Sequence, residues 1–396
     1  MRFRCDRKTE DRNRGAARRA DCRCLFTLSE SLPELTVRNP GEADEAQLIE
    51  LLSRAFPRWP QFEIPVSAIE HLRWKLRSDP AAARHHWVGE VDGRIVAMLL
   101  RIIRRVRVRG RDCLARDGVD AAVDPDYQAQ GLYGAMVDES KKHPQYFEVD
   151  FGLSYSSNPR LLRRDARKGS KPLANPIQLL QKPYRARAIV RRRRARHRGR
   201  IPAPLAVLRI KLETVLNRIG HRPYWRPVRP GWSISTLERF DERIDEFFDK
   251  AARPFDFLLV RSSGYMNWRY CEPAAGRFTI RVAEQEGRIL GYLVFKISEG
   301  NGYITDLLAL PERLDVVRSL IEDALRLFRE AHAELVSCWM ITRHPYNGLL
   351  RSYGFVDSRR DIGFVSMATD PDSRVLDFLD QATARIHLMH GDSDWI

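Results

Sequence analysis

A short apolar run, Gly118-Val-Asp-Ala-Ala-Val123, gives way to Asp124-Pro-Asp-Tyr-Gln128-Ala-Gln-Gly131-Leu-Tyr133-Gly134-Ala135. A helical pattern through Met136, Val137 and Ser140 follows. A strand that turns into a helix over glycines leaves several backbone N–H groups pointing outward without partners. The helix dipole adds partial positive charge at the same place, so such a turn suits a diphosphate. Gly131 and Gly134 would let phosphates approach the backbone where a Cβ would block them. The plain alternative is an ordinary glycine-bearing loop. The strand before it, the helix after it and an upstream hairpin favour the binding reading. Other chemistry is poorly represented. His85-His86 sit before a strand without a nucleophile–base partner, and Cys22 and Cys24 are the only close pair among six cysteines. No spacing suits zinc, so a reduced protein without a metal is expected.

The elements that would position this turn recur. His71-Leu-Arg-Trp74-Lys75-Leu, Asp79-Pro80 and Glu90-Val-Asp-Gly93-Arg94-Ile95 are echoed by Tyr265-Met-Asn-Trp268-Arg269-Tyr, Glu272-Pro273 and Glu284-Gln-Glu-Gly287-Arg288-Ile289. Trp to Gly is 19 residues in both copies. Each copy reads as a helix-end tryptophan, a loop, a strand, a tight acid-Gly turn and a second strand. Duplication explains this better than chance recurrence. A chain of 396 residues with 43% hydrophobic content has room for roughly two to three cores. The expected organisation is a disordered basic extension over 1–34, a first α/β domain over 35–183, a basic joint over 184–230 and a second domain over 231–396. The first ordered elements should be a strand near Leu35 and a helix with Leu48, Leu51, Leu52 and Ala55 on one face. No secretory signal or membrane span is legible; the longest apolar stretch, Ile95 to Ile103, is broken by Arg101.

The net charge of +16 belongs to the joint. From Lys182 to Arg229 there are 16 Lys/Arg against the single acid Glu213, and from Met1 to Cys24 nine against four, so the remainder is slightly acidic. Arg191 to Arg194 run uninterrupted, with Arg196, Arg198 and Arg200 behind them. A helical pattern then places Leu205, Leu208, Leu212, Val215, Leu216 and Ile219 on one face, and Gly220 closes it. A basic amphipathic helix suits an anionic membrane surface, so residues 185–229 are a membrane candidate. Packing of the stripe on a domain and RNA binding by the arginines are the rivals. Absence of aromatic interleaving argues against nucleic acid. The acidic tail Gly391-Asp-Ser-Asp-Trp395 could contact a cationic or amino acceptor, but it reads first as a solvated terminus.

Gln128-x-x-Gly131 after a strand resembles the pyrophosphate signature of the GNAT acyl-CoA N-acyltransferase superfamily, (Gln/Arg)-x-x-Gly-x-(Gly/Ala). Tyr133 departs from the final small residue, with Gly134 and Ala135 following at once. Ser157-Asn158-Pro159 with Gly169 is similar to the family's later Asn-(x)10-Gly segment. The resemblance implies an α/β (α+β) fold of two GNAT-like domains with mixed, mostly antiparallel sheets flanked by helices, joined by the basic helical insertion. It implies acetyl-CoA or another acyl-CoA as co-substrate and no metal. The implied contacts run from Ala122 and Val123 through Gln128, Ala129, Gln130, Gly131, Leu132, Tyr133, Gly134 and Ala135, with Asn158 on the pantetheine arm. A direct attack by an amine needs a base, and the family's strand-borne position falls on Asp117, with Asp120 as the fallback. The family's tyrosine acid position holds Asp165 here, which leaves Tyr155 as the nearest candidate.

The second half shows the family's shape without its cradle. Tyr303 to Leu310 reads as the equivalent strand, Pro311-Glu312-Arg-Leu-Asp replaces the glycine loop, and Val317, Leu320, Ile321, Ala324, Leu325 and Phe328 form a core stripe. Tyr353-Gly354-Phe355 echoes the family's terminal Gly-Phe turn. The implied activity is transfer of an acyl group, first of all acetyl, to an amine such as an amino-sugar or cell-envelope precursor. Its implied place is the cytoplasm, peripheral at the inner membrane face. An aminoacyl-tRNA-dependent FemAB-like transferase and a non-catalytic RNA- or membrane-binding protein are the competing readings.

Overall fold

Helical apolar spacing after the turn at Pro40-Gly41 produces α1, Glu45–Ala55, whose Leu48, Leu51 and Leu52 are buried. The structure is a computed structural model that describes residues 34–76, 85–184, 203–220 and 231–394. The basic extension at 1–33, the arginine run of 191–200 and Trp395 lie outside the described residues.

The first half is a meander of β1 (Thr36–Arg38), β2 (Trp87–Val91), β3 (Arg94–Val108) and β4 (Arg111–Val123), each antiparallel to the next. Asp92-Gly93 and Arg109-Gly110 turn the chain with φ positive at both residues of each pair, which matches the twist of the flanking strands. Helix α2 (Ala68–Leu76) precedes β2, and α3 (Leu132–Ser140) crosses over to β5 (Phe151–Ser156), which runs parallel to β4. Helix α4 (Pro159–Arg167) and β6 (Ile177–Pro183) follow, then α5 (Ala203–Gly220).

The second half follows a similar element order with two more strands. It runs β7 (Ser233–Leu237), α6 (Arg243–Ala251), β8 (Phe257–Leu259), α7 (Ser263–Tyr270), β9 (Thr279–Gln285), β10 (Arg288–Ser298) and β11 (Asn301–Ala309). Helix α8 (Leu314–Glu330), β12 (Leu335–Ile341), α9 (Pro345–Ser352), β13 (Val356–Ala368) and β14 (Ile386–His387) complete it. The apolar stripe read in the sequence, Val317 to Phe328, is the fully buried face of α8 on this sheet.

All strands belong to one sheet, ordered β1-β2-β3-β4-β5-β13-β6-β12-β11-β10-β9-β7. Its centre is an exchange between halves. β13 of the second half pairs with β5 through Gly363–Ala368, whereas β6, from the 35–183 segment, pairs along its whole length with β12. β13 and β6 also pair with each other. β8 adds a second clasp by pairing with the end of β3, and β14 pairs with β8.

The two echo tryptophans meet. Trp74 at the end of α2 and Trp268 in α7 stack at 4.7 Å and 15°. Each indole N–H donates to the other's carbonyl, at 3.0 and 3.4 Å. Such a ring pair adds about 1 kcal/mol beyond its buried area.

Candidate active site

β4 and β5 pair only over Ala115–Asp117 and Phe151–Leu153. Beyond Asp117, β4 continues along β3 to Val123, while β5 continues along β13 to Ser156. The strands therefore part at Gly118 and leave a wedge in which the β5-facing edge of β4 has no strand partner. Chain leaving Val123, at the end of β4 past this opening, forms the glycine turn. Buried Asp124 anchors that turn by accepting from Arg54 of α1 at 3.0 Å, from Arg94 of β3 at 2.8 Å and from the Asp126 amide. Gln128 donates its side-chain amide to the Val123 carbonyl, and Gln130 donates to that of Asp126.

Gly131 caps α3 with φ +83°, a conformation that favours glycine. A Cβ placed on Gly131 or Gly134 would meet nothing within 4 Å, so the space in front of the turn is open. The first α3 amides, on Leu132, Tyr133 and Gly134, lack intrahelical acceptors, while Leu132 and Met136 fix the helix on the sheet. Tyr133, the departure from the family signature, carries the Arg164 guanidinium of α4 over its ring at 4.6 Å. Asn158 begins the chain into α4 and is exposed beside the wedge, its amide donating to Ser156 Oγ.

At the bottom of the wedge the candidate catalytic groups are together and buried. Asp117 Oδ2 accepts from Arg104 Nε and Nη2 at 3.1 and 3.0 Å, both side chains being 2% exposed. Burial pushes the Asp117 carboxyl up to about 7 against the opposing pull of Arg104. Arg104 also donates to the Tyr265 hydroxyl of α7 and lies over the Tyr265 and Trp268 rings, so the second half holds it in place. Asp120 takes a positive φ of 42°, and its carboxylate is bound by buried Lys75 at 2.6 Å. Tyr155 stands on β5 between Trp339 and Phe364. Its hydroxyl is buried without a hydrogen-bond partner, and burial holds the phenol protonated well above the ordinary tyrosine range.

The acidic tail corrects the sequence reading. Gly391, Asp392 and Ser393 are buried rather than solvated, because two buried arginines of the second half draw them in. Arg261 Nη2 donates to both Asp392 oxygens at 2.9 Å. Arg269 donates to the carbonyls of Gly391 and Ser393. The amide of Asp120 donates to Asp394, which ties the tail to β4 beside the candidate base. An unpaired guanidinium in the core would cost far more than ordering a few terminal residues.

Sequence reasoning missed Arg104, Lys75, Tyr265 and Arg261, and took Asp392 only as part of a tail that reads first as solvated. One signal was present: in both echo copies a cation follows the tryptophan, and Lys75 and Arg269 are those cations. Lys296 was also missed. It sits buried over the Phe62 ring at 3.3 Å, and burial lowers its ammonium to about 7. His85 and His86 are buried scaffold. His86 accepts from the Arg101 amide and contacts the Leu76 carbonyl.

A second wedge opens where β11 leaves β12 after Ile304 and Cys338. It adjoins a cavity of about 550 Å³ lined by Phe255, Leu310, Leu314, Ile341, Tyr346 and Ile386 among others. No glycine turn crosses it. Pro311-Glu312-Arg313 leads directly into α8, with Glu312 at φ +64°.

Residues 36–165 match the acetyltransferase (GNAT) domain family. No curated protein matches the chain significantly by sequence. Solved structures share its fold at low identity. A GCN5-related N-acetyltransferase from Anabaena variabilis is 10% identical, with TM-score 0.58 over 85% of this chain and 73% of its own. A probable N-acyltransferase from Enterococcus faecalis is 11% identical, with TM-score 0.58 over 86% and 74%. N-myristoyltransferase of Saccharomyces cerevisiae, solved with myristoyl-CoA and inhibitors, is 13% identical, with TM-score 0.56 over 85% and 80%. The fold is thus GNAT-like across both halves, a mixed α/β architecture around a mostly antiparallel sheet.

Proposed function

We propose that this chain is an acyl-CoA-dependent N-acyltransferase whose first half takes the acyl-CoA and whose catalytic groups lie at the seam between the halves. The observation that carries the reading is the wedge itself: two parallel strands part at a buried carboxylate, under an open glycine turn at a helix N-terminus. The family match over 36–165 supports it. In this reading the diphosphate meets the amides of Leu132, Tyr133 and Gly134, framed by Gln128, Ala129, Gln130, Gly131 and Ala135, and Arg164 adds a cation from α4. The pantetheine arm lies along the free edge of β4 at Ala122 and Val123, near Asn158.

The acceptor amine arrives as an ammonium and must lose a proton to attack the thioester carbonyl. Asp117 is the base we assign, since a carboxyl held near 7 is ionised often enough to accept that proton at neutral pH. Asp120 is the fallback, its carboxylate paired with Lys75 as that of Asp117 is paired with Arg104. Tyr155, protonated and without another partner, is the acid we assign to the departing thiolate. The acceptor we favour is a small amine or an amino-sugar precursor, which would reach the wedge beside the buried tail that Arg261 and Arg269 hold in place. The second half is read as a diverged copy of the first. Each half has a four-stranded antiparallel meander, an echo tryptophan, and an aspartate three residues before the end of its fourth meander strand, Asp120 and Asp306.

Thiol release from acetyl-CoA and from longer acyl-CoAs, with and without pooled amine acceptors, tests the proposal. Amine-dependent release with one chain length preferred is the expected result. Absence of both release and CoA binding by calorimetry would overturn it. No observation favours the aminoacyl-tRNA or the non-catalytic reading.

A further inference from the structure

Nine large hydrophobic side chains are exposed among the described residues, and six of them lie on α5: Leu205, Leu208, Leu212, Val215, Leu216 and Ile219. Their exposures run from 50% to 63%, so the whole stripe faces solvent. The sequence left open whether this stripe packs on a domain. It does not. The helix docks by the other side, where Ile210 is 1% exposed and Asn217 donates to the Phe355 carbonyl at 3.1 Å. At 3.6 residues per turn, Ile210 and Asn217 fall on the wheel opposite the stripe. Exposed Arg209 borders the stripe on one side and exposed Lys211 on the other.

A soluble surface seldom carries a contiguous apolar band of this length, and such bands mark contacts. We infer that α5 is a docking helix for an anionic lipid surface, its aliphatic stripe entering the acyl boundary and its basic borders meeting lipid phosphates. Charge decides among occupants. The sequence from Lys182 to Arg229 holds 16 Lys/Arg against one acid, so two copies meeting stripe to stripe would bring two strongly basic segments together. An anionic bilayer satisfies the stripe and the charge at once. The helix has no span-like character, since no described helix is long and apolar enough to cross a membrane. It would lie in the interface plane, held by a face that the fold leaves free. This inference is independent of the proposed chemistry, because α5 contributes no residue to the wedge.

Flotation of the full chain with vesicles of phosphatidylcholine alone, or with one-third phosphatidylglycerol by design, tests it. Binding to the anionic vesicles and not to the neutral ones is expected, weakening as salt screens the charges. Leu208→Ser/Leu212→Ser/Val215→Ser should lower the partition about a hundredfold or more. Its circular dichroism should not change, since all three side chains are exposed. Leu212→Asp gives the same test with a single change should the triple variant lose its fold. Failure of the unaltered chain to float with anionic vesicles overturns the inference. So does a concentration-dependent dimer that the triple variant abolishes while vesicle binding is absent; the stripe would then belong to a second copy.

Discussion

The two wedges share a strand plan and differ in what closes them. In the first, the edge of β4 beyond Asp117 has no strand partner, and an eight-residue turn with Gly131 at φ +83° stands open before it. Side chains take strand amides in both: Asp394 accepts from the Asp120 amide in the first, and Tyr346 and Asp306 accept in the second. The Ala309 amide donates to the buried Tyr346 hydroxyl, and the Leu307 amide donates to Asp306. Pro311 and Glu312 lead into α8 where the first half has its glycine turn, so no glycine opens that helix. A similar strand plan alone therefore does not leave an open turn at a helix N-terminus.

The largest expected effect comes from closing the first wedge. Gly131→Asp adds backbone strain and a negative charge at a helix N-terminus, and should abolish acetyl-CoA binding by calorimetry, a loss of about a hundredfold or more. Glu312→Ala in the second wedge should leave that affinity unchanged. Equal losses from both changes would break the comparison.

Asp117→Asn keeps shape and removes basicity, so kcat should fall by about 10²–10⁴ with the acyl-CoA Kd little changed. The pH profile sharpens this. Protonation below about 7 disables the base, so the rate of the unaltered protein should climb as pH rises through that value. A variant that keeps the climb would move the role elsewhere.

Tyr155→Phe should cost kcat about tenfold or more if the phenol protonates the thiolate. Its Tm should hold or rise, because the hydroxyl removed is buried without a partner. A lower Tm with intact kcat would make Tyr155 a scaffold residue. Tyr346→Phe is the counterpart in the second wedge and the smallest change. It strands the Ala309 amide, so denaturant unfolding should show a loss of about 1 kcal/mol while kinetics stay as they were.

What could be read from the residues was local. Gly131 and Gly134 between a strand and a helix announce a turn whose conformation few other residues tolerate, and Leu48, Leu51 and Leu52 announce a helix face. Trp74 and Trp268 marked an echo between the halves, but not that their rings would stack on each other. The pairing of β6 with β12 was not legible, because Ile177-Gln-Leu-Leu-Gln-Lys-Pro183 states that it is a strand without stating whose. Nor was the burial of Asp392. A short acidic segment has the composition of a solvated end, and only Arg261, 131 residues away in the chain, reverses that. Lys75 and Asp120 are likewise 45 residues apart, and nothing local joins them.

The strand exchange bears on how the chain is made. β5 ends at Ser156, but its neighbour in the sheet, β13, begins at Val356. During synthesis at 5–20 residues per second, the outer edge of β5 waits roughly 10–40 s for the strand that covers it. β6 waits as well, since both its partners are made later. Bare edges are templates for the wrong strand, so the nascent first half is the aggregation-prone species in this protein's life. Conditions that slow elongation in the second half should lower the soluble yield, and a holdase that shields extended segments should restore it.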